Sequence, residues 1–73
     1  MASIEVIEIY GIRIDRKQAA MFQMVMEHDA YEFRDRAMRS LESESSPEVL
    51  QYIATHHTAY EFRDRAMKAL ERM

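Results

Sequence analysis

Between Ser3 and Ile14 the chain reads Ser-Ile-Glu-Val-Ile-Glu-Ile-Tyr-Gly-Ile-Arg-Ile, dense in β-branched residues and interrupted by the single glycine. That pattern predicts a β-strand over residues 3–14, kinked at Gly11. A strand must hydrogen-bond its backbone, and nothing later in the chain reads as a second strand. A hairpin folded at Tyr10-Gly11 would be very short, so the expected pairing is with another copy of the chain or with a different protein.

Beyond the strand, start signals and apolar spacing predict four short helices at 16–28, 30–43, 47–57 and 59–72. Asp15 with Gln18 makes a capping box for the first, and Ser46 followed by Pro47 opens the third with a pre-set φ. Asp29-Ala-Tyr-Glu32 and Thr58-Ala-Tyr-Glu61 fit the same box and place breaks before Ala30 and Ala59. At 100° per residue, Phe33, Ala37, Ala30, Leu41, Met38 and Tyr31 share one broad arc of the second helix. Glu32, Asp35, Arg36 and Arg39 lie opposite, with Glu32 to Arg36 and Asp35 to Arg39 at the favourable i,i+4 spacing. Glu61 to Arg65 and Asp64 to Lys68 repeat it, which reads as a solvated charged face.

These similarities are a duplication. Residues 30–42, AYEFRDRAMRSLE, and 59–71, AYEFRDRAMKALE, are identical at eleven of thirteen positions at an offset of 29. The offset extends upstream, where Ala20, Met21, Met24, Val25 and His28 stand opposite Val49, Leu50, Ile53, Ala54 and His57. The fold class that follows is mainly α: an N-terminal β-strand, paired between subunits, then two tandem helix-hairpin repeats. Residues 1–73 form one small domain, with unit one at 16–43, unit two at 47–72, and the serine-rich stretch 43–46 as linker.

Some residues stand out against this plan. Arg34 and its equivalent Arg63 fall near the middle of the apolar arcs, where a charge must snorkel, pair with a carboxylate or meet a partner. Phe22 and Met26 give the first helix a second apolar side, where the third helix carries Gln51 and Thr55. The strand, or the same helix of another subunit, is the natural cover. Ile7, Ile9, Tyr10, Phe22, Met26, Arg34 and Arg63 are therefore the candidate partner or dimer-interface residues. His28 and His57 end their helices, a favourable place for an imidazole in a capping or core role. The seven methionines serve as gap-filling core or as an adaptable binding surface.

Composition narrows the function. A chain of 73 residues without cysteine builds a core of roughly 3 to 5 kcal/mol and has no disulfide to reinforce it, so a dimer or other homo-oligomer is expected. Ten basic against thirteen acidic residues, a net charge of −3, is not the footprint of a protein that coats nucleic acid. No apolar run approaches a membrane span and no secretory signal is visible, making the cytoplasm the expected compartment. There is no phosphate loop, no nucleophile with a fixed base and no complete metal-ligand set. Neither catalytic residues nor cofactor is expected, and the chain reads as no enzyme.

Gly11-Ile-Arg-Ile-Asp15 followed by two helices, the second opening Asp29-Ala-Tyr-Glu32 and continuing Phe33, Arg34, Ala37, Met38, Leu41 and Glu42, resembles the ribbon-helix-helix family across residues 4–42. The resemblance implies a dimeric DNA-binding repressor or antitoxin-type regulator whose paired strands enter the major groove. The chain departs from that pattern in carrying Glu5 and Glu8 on the strand with Arg13 as its one base, and in a short glycine-free turn between the helices. The residues themselves favour a small acidic protein-interaction module that self-associates and occupies a surface on a larger protein. Adaptors and inhibitors, including those of phages and other mobile elements, fit that description. The two equivalent faces centred on Arg34 and Arg63 either bury against each other as a pseudo-two-fold bundle or present two similar sites.

Overall fold

Tyr10 and Gly11 hold φ angles of 52° and 78°. Two successive positive φ values make the tight two-residue turn whose twist matches that of paired strands. The computed structural model describes residues 5–44 and 46–73, and the turn folds the expected single strand into two: β1 (Val6–Ile9) and β2 (Ile12–Asp15). They pair antiparallel with Val6 opposite Asp15 and Ile9 opposite Ile12. The kink expected at Gly11 is thus a full reversal, and the inner edges of the two halves satisfy each other within the chain. Residues 3 and 4 of the expected strand, Met1, and Ser45 of the expected linker lie outside the described residues.

Tertiary packing compensates for the shortness of this hairpin. Ile7 and Ile14 form a cross-strand pair on the inner face, with Ile9 and Ile12 beside them, and all four pack on the core. On the outer face Glu8 stands opposite Arg13, a complementary charge pair. Tyr10 tolerates its positive φ because its ring is held against Phe22 (centroids 5.0 Å apart) and stacked on Tyr52 (5.1 Å), while its hydroxyl donates to Glu27.

Four helices follow: α1 (Arg16–Glu27), α2 (Tyr31–Glu44), α3 (Pro47–His56) and α4 (Tyr60–Glu71). The Asp15 carboxylate caps α1 by accepting from the Gln18 amide at 2.7 Å, and Ser46 with Pro47 starts α3. The capping boxes expected at Asp29 and Thr58 do not form. Each preceding helix ends in an extended histidine whose Nδ1 accepts the amide two residues on, Ala30 at 3.0 Å from His28 and Ala59 at 2.9 Å from His57. The imidazole thus satisfies one of the free amides at the helix start, a different one from the two that a capping box would serve.

Helix α1 packs on α2 and α3 on α4, and the two hairpins of helices meet with α2 against α4 while the β-hairpin lies on α1. One core runs through both units, with Phe22, Val25, Met38 and Leu41 from the first and Leu50, Ile53, Phe62 and Ala66 from the second.

Candidate functional site

Helix geometry sorts each repeated helix into two edges. On α2, Tyr31, Arg34, Asp35, Met38 and Glu42 fall along one side, and on α4, Glu61, Phe62, Arg65 and Ala69 fall along the opposite one. These are the two edges that meet. Arg65 donates to Asp35 at 2.8 Å and, through Nε, to Glu42 at 2.8 Å, with its side chain 20% exposed. The hydrogen bond to Glu42 raises the guanidinium's pKa above the ordinary arginine value, opposed by burial and helped by Asp35. Tyr31 donates to Glu61 and sets its ring beside Phe62. Arg34 lies face-on to the same ring, 5.7 Å from its centroid. His57 closes the junction from below: Nδ1 holds the Ala59 amide, so Nε2 carries the proton and donates to the Val25 carbonyl at 2.8 Å.

This junction is not two-fold. In a two-fold bundle equivalent residues would be equally covered, yet Phe62 is 1% exposed and Phe33 42%, while Met38 is fully buried and Met67 is 54% exposed. Unit two offers its docking face, built on Leu50, Ile53, His57, Phe62 and Arg65. Unit one receives it on a different face, along Tyr31, Asp35, Met38 and Glu42. Each unit therefore has one face used and one open.

The open docking face of unit one is the candidate site. Met21, Met24 and Phe33 line a groove bordered by Arg36 and Ser40, which continues past Ala20 to His28. The same groups in unit two lie buried at the junction. The open receiving face of unit two is a second groove, lined by Ala54, Tyr60, Arg63, Asp64, Met67 and Glu71.

The residues expected at an interface are distributed otherwise. Ile7, Ile9 and Tyr10 are half-buried against their own chain, and Phe22 is fully buried beneath Tyr10 and Tyr52, with no side-chain surface left to offer a partner. Met26 is half-buried against the same core. Arg34 sits inside the junction between units. Arg63 lies over Tyr60 and donates to the His57 carbonyl at 2.6 Å, at the rim of the unit-two groove. Residue-by-residue reading missed Arg65 and Arg36, which i,i+4 spacing assigned to a solvated face. Asp35–Arg39 and Asp64–Lys68 do pair there, at 3.0 and 3.1 Å. Arg65 instead turns toward unit one, and Arg36 has no ion-pair partner among the described residues. No cluster of three or more acidic or histidine side chains able to hold a metal is found among the described residues.

Comparison with protein-family models, curated proteins and solved structures finds no match to this chain.

Proposed function

We propose that the chain is a non-enzymatic protein-interaction module of the adaptor or inhibitor kind, acting on a larger protein through the open docking face of unit one. One observation carries this reading: a surface fully buried in unit two, around Leu50, Ile53 and Phe62, is only partly covered in unit one, where Phe33 is 42% exposed and Met21 and Met24 are half-buried. A contiguous apolar groove rimmed by an arginine, with an aromatic anchor and adaptable methionines, has the composition of a protein-binding surface. Among the described residues no helix is long and apolar enough to cross a membrane. The β-hairpin sets Glu8 opposite Arg13, its one base, and the exposed Glu5 that precedes it pairs with Arg16, which disfavours a DNA-reading ribbon because phosphate contacts need free cations.

Affinity capture from the source cell tests the reading. A partner held by the wild-type chain should be lost with Phe33→Glu and kept with Glu8→Gln, a control on the hairpin's outer face. Equal capture by all three would overturn the assignment of the face.

A further inference from the structure

We propose that the open docking face of unit one binds the open receiving face of unit two in a second copy, so that the chain associates head to tail by repeating its own internal junction. The proposal rests on the reading of that face as a docking surface and names an occupant for it. The 29-residue repeat supplies the argument, because each polar contact of the junction can be shifted by one repeat and the required groups are present. Arg65 with Asp35 and Glu42 becomes Arg36 of one copy with Asp64 and Glu71 of the next. Tyr31 with Glu61 becomes Tyr60 with Glu32. Arg34 over Phe62 becomes Arg63 over Phe33. His57 on the Val25 carbonyl becomes His28 on the carbonyl of Ala54.

The docking face is also preformed, while on the receiving face Arg63 exchanges Tyr60 and the His57 carbonyl for Phe33 of the next copy. His28 accepts the Ala30 amide at 3.0 Å and lies 5.0 Å from the Phe33 ring, against 2.9 Å and 4.9 Å for His57 with Ala59 and Phe62. The docking geometry of unit two thus already exists in unit one, with Nε2 of His28 directed to no acceptor among the described residues. Charges are complementary: neither Arg36 on the docking face nor Glu71 on the receiving face has an ion-pair partner among the described residues, and Tyr60 is 72% exposed. One repeat difference agrees with the same arrangement. Tyr52 meets the β-hairpin through Tyr10, and its equivalent is Gln23, which would face a unit two that carries no hairpin.

An interface joining two different faces leaves one of each free at the ends, so it propagates as an array or closes as a ring. Within the chain the linker holds the units at an effective concentration in the millimolar range. Between chains that help is missing and the hairpin contact is absent, which places the association in the range of about 10 μM to about 1 mM.

Sedimentation velocity on the full chain, wild type and two blocked variants, decides it. Phe33→Glu blocks the docking face and Met67→Glu the receiving face; both positions are exposed, and circular dichroism verifies each fold, with Arg36→Glu replacing a Phe33→Glu, and Glu71→Arg a Met67→Glu, that does not fold. The wild type should form species larger than a dimer as concentration rises, each variant alone should stay monomeric, and an equimolar mixture should form a one-to-one heterodimer and nothing larger. A wild type monomeric up to about 1 mM, variants that associate as the wild type does, or a mixture that stays monomeric would each overturn the proposal. Such failures leave the docking-face reading intact if Phe33→Glu still abolishes capture of a partner. Loss of that discrimination in capture, with head-to-tail association present, would remove the larger-protein reading alone.

Discussion

Arg65 reaches across the junction to Asp35 at 2.8 Å, whereas its repeat equivalent Arg36 stands beside an open groove with no carboxylate within ion-pair distance among the described residues. The two arginines sit in the same sequence, FRDRAM, on helices of the same length class and opposite each other in the repeat. What separates them is tertiary: one face of each unit is used, and it is not the same face.

The contrast predicts unequal responses to the same substitution. Removing Arg65 leaves Asp35 and Glu42 near each other without their shared cation, in a site that is neither exposed nor fully dry. Arg65→Met should destabilise the fold by about 2 kcal/mol, between the surface and buried limits for an ion pair. That corresponds to roughly 8 to 16 °C in melting temperature for a domain of this size. Arg36→Met should stay within about 0.5 kcal/mol of wild type. Thermal melts at a concentration that keeps the chain monomeric check both values, and equal losses would contradict the asymmetric junction.

The histidine pair makes the same point with neutral groups. His57→Leu strands the Ala59 amide and the Val25 carbonyl, both of which its ring satisfies. At about 1 to 3 kcal/mol per stranded group, the loss should be roughly 2 to 4 kcal/mol after partial relaxation. His28→Leu removes only the acceptor of the half-exposed Ala30 amide, and should cost about 1 kcal/mol or less. Urea unfolding of the two variants measures the difference directly.

Tyr10 carries a pH signature. Burial, then the hydrogen bond and charge of Glu27, push its phenol well above the ordinary tyrosine value, and Tyr52 adds to the shift. Between the unfolded value near pH 10 and the higher folded one, the unfolded chain has released its proton while the folded chain retains it. Stability contributed by Tyr10 is therefore complete below about pH 10 and falls as pH rises beyond it. Unfolding free energies measured from pH 8 to 11 should fall less steeply for Tyr10→Phe than for wild type. Parallel curves would show that neither burial nor Glu27 holds the phenol's proton in the folded chain.

Gly11 tests the hairpin turn separately from its packing. A Cβ at this position meets nothing within 4 Å, so only its φ of 78° opposes a side chain. Gly11→Ala should cost about 1 kcal/mol through backbone strain, without a steric term. A larger loss in urea unfolding would mean that the turn is more closely packed than this.

Much of the architecture was legible in local chemistry. The β-branched run, the Asp15 and Ser46-Pro47 helix starts and the duplicated AYEFRDRAM segment led to the β-rich N-terminus and four helices with their boundaries within a few residues. Local pattern did not reveal that residues 6–9 and 12–15 pair with each other, because the hairpin depends on Tyr10 finding Phe22 and Tyr52, residues distant in sequence. Nor could the repeat show how its copies meet. Identical segments carry identical propensities, and whether Phe33 or Phe62 is buried is decided only by which face of one unit seats on which face of the other. Arg65 was hidden for that reason: its i,i+4 partner Glu61 is present, at 3.6 Å, but the shorter contacts come from the other unit.

The methionine methyl groups offer the most direct test, since they lie on both open faces and at the closed junction. In a carbon-proton spectrum followed through a dilution series, the signals of Met21 and Met24 on unit one and Met67 on unit two should shift together as concentration rises. Met38, buried at the internal junction, should hold its position. If Met21, Met24 and Met67 remain unmoved up to about 1 mM, or if Met26, which lines neither open groove, moves in their place, the head-to-tail use of the repeated junction is contradicted.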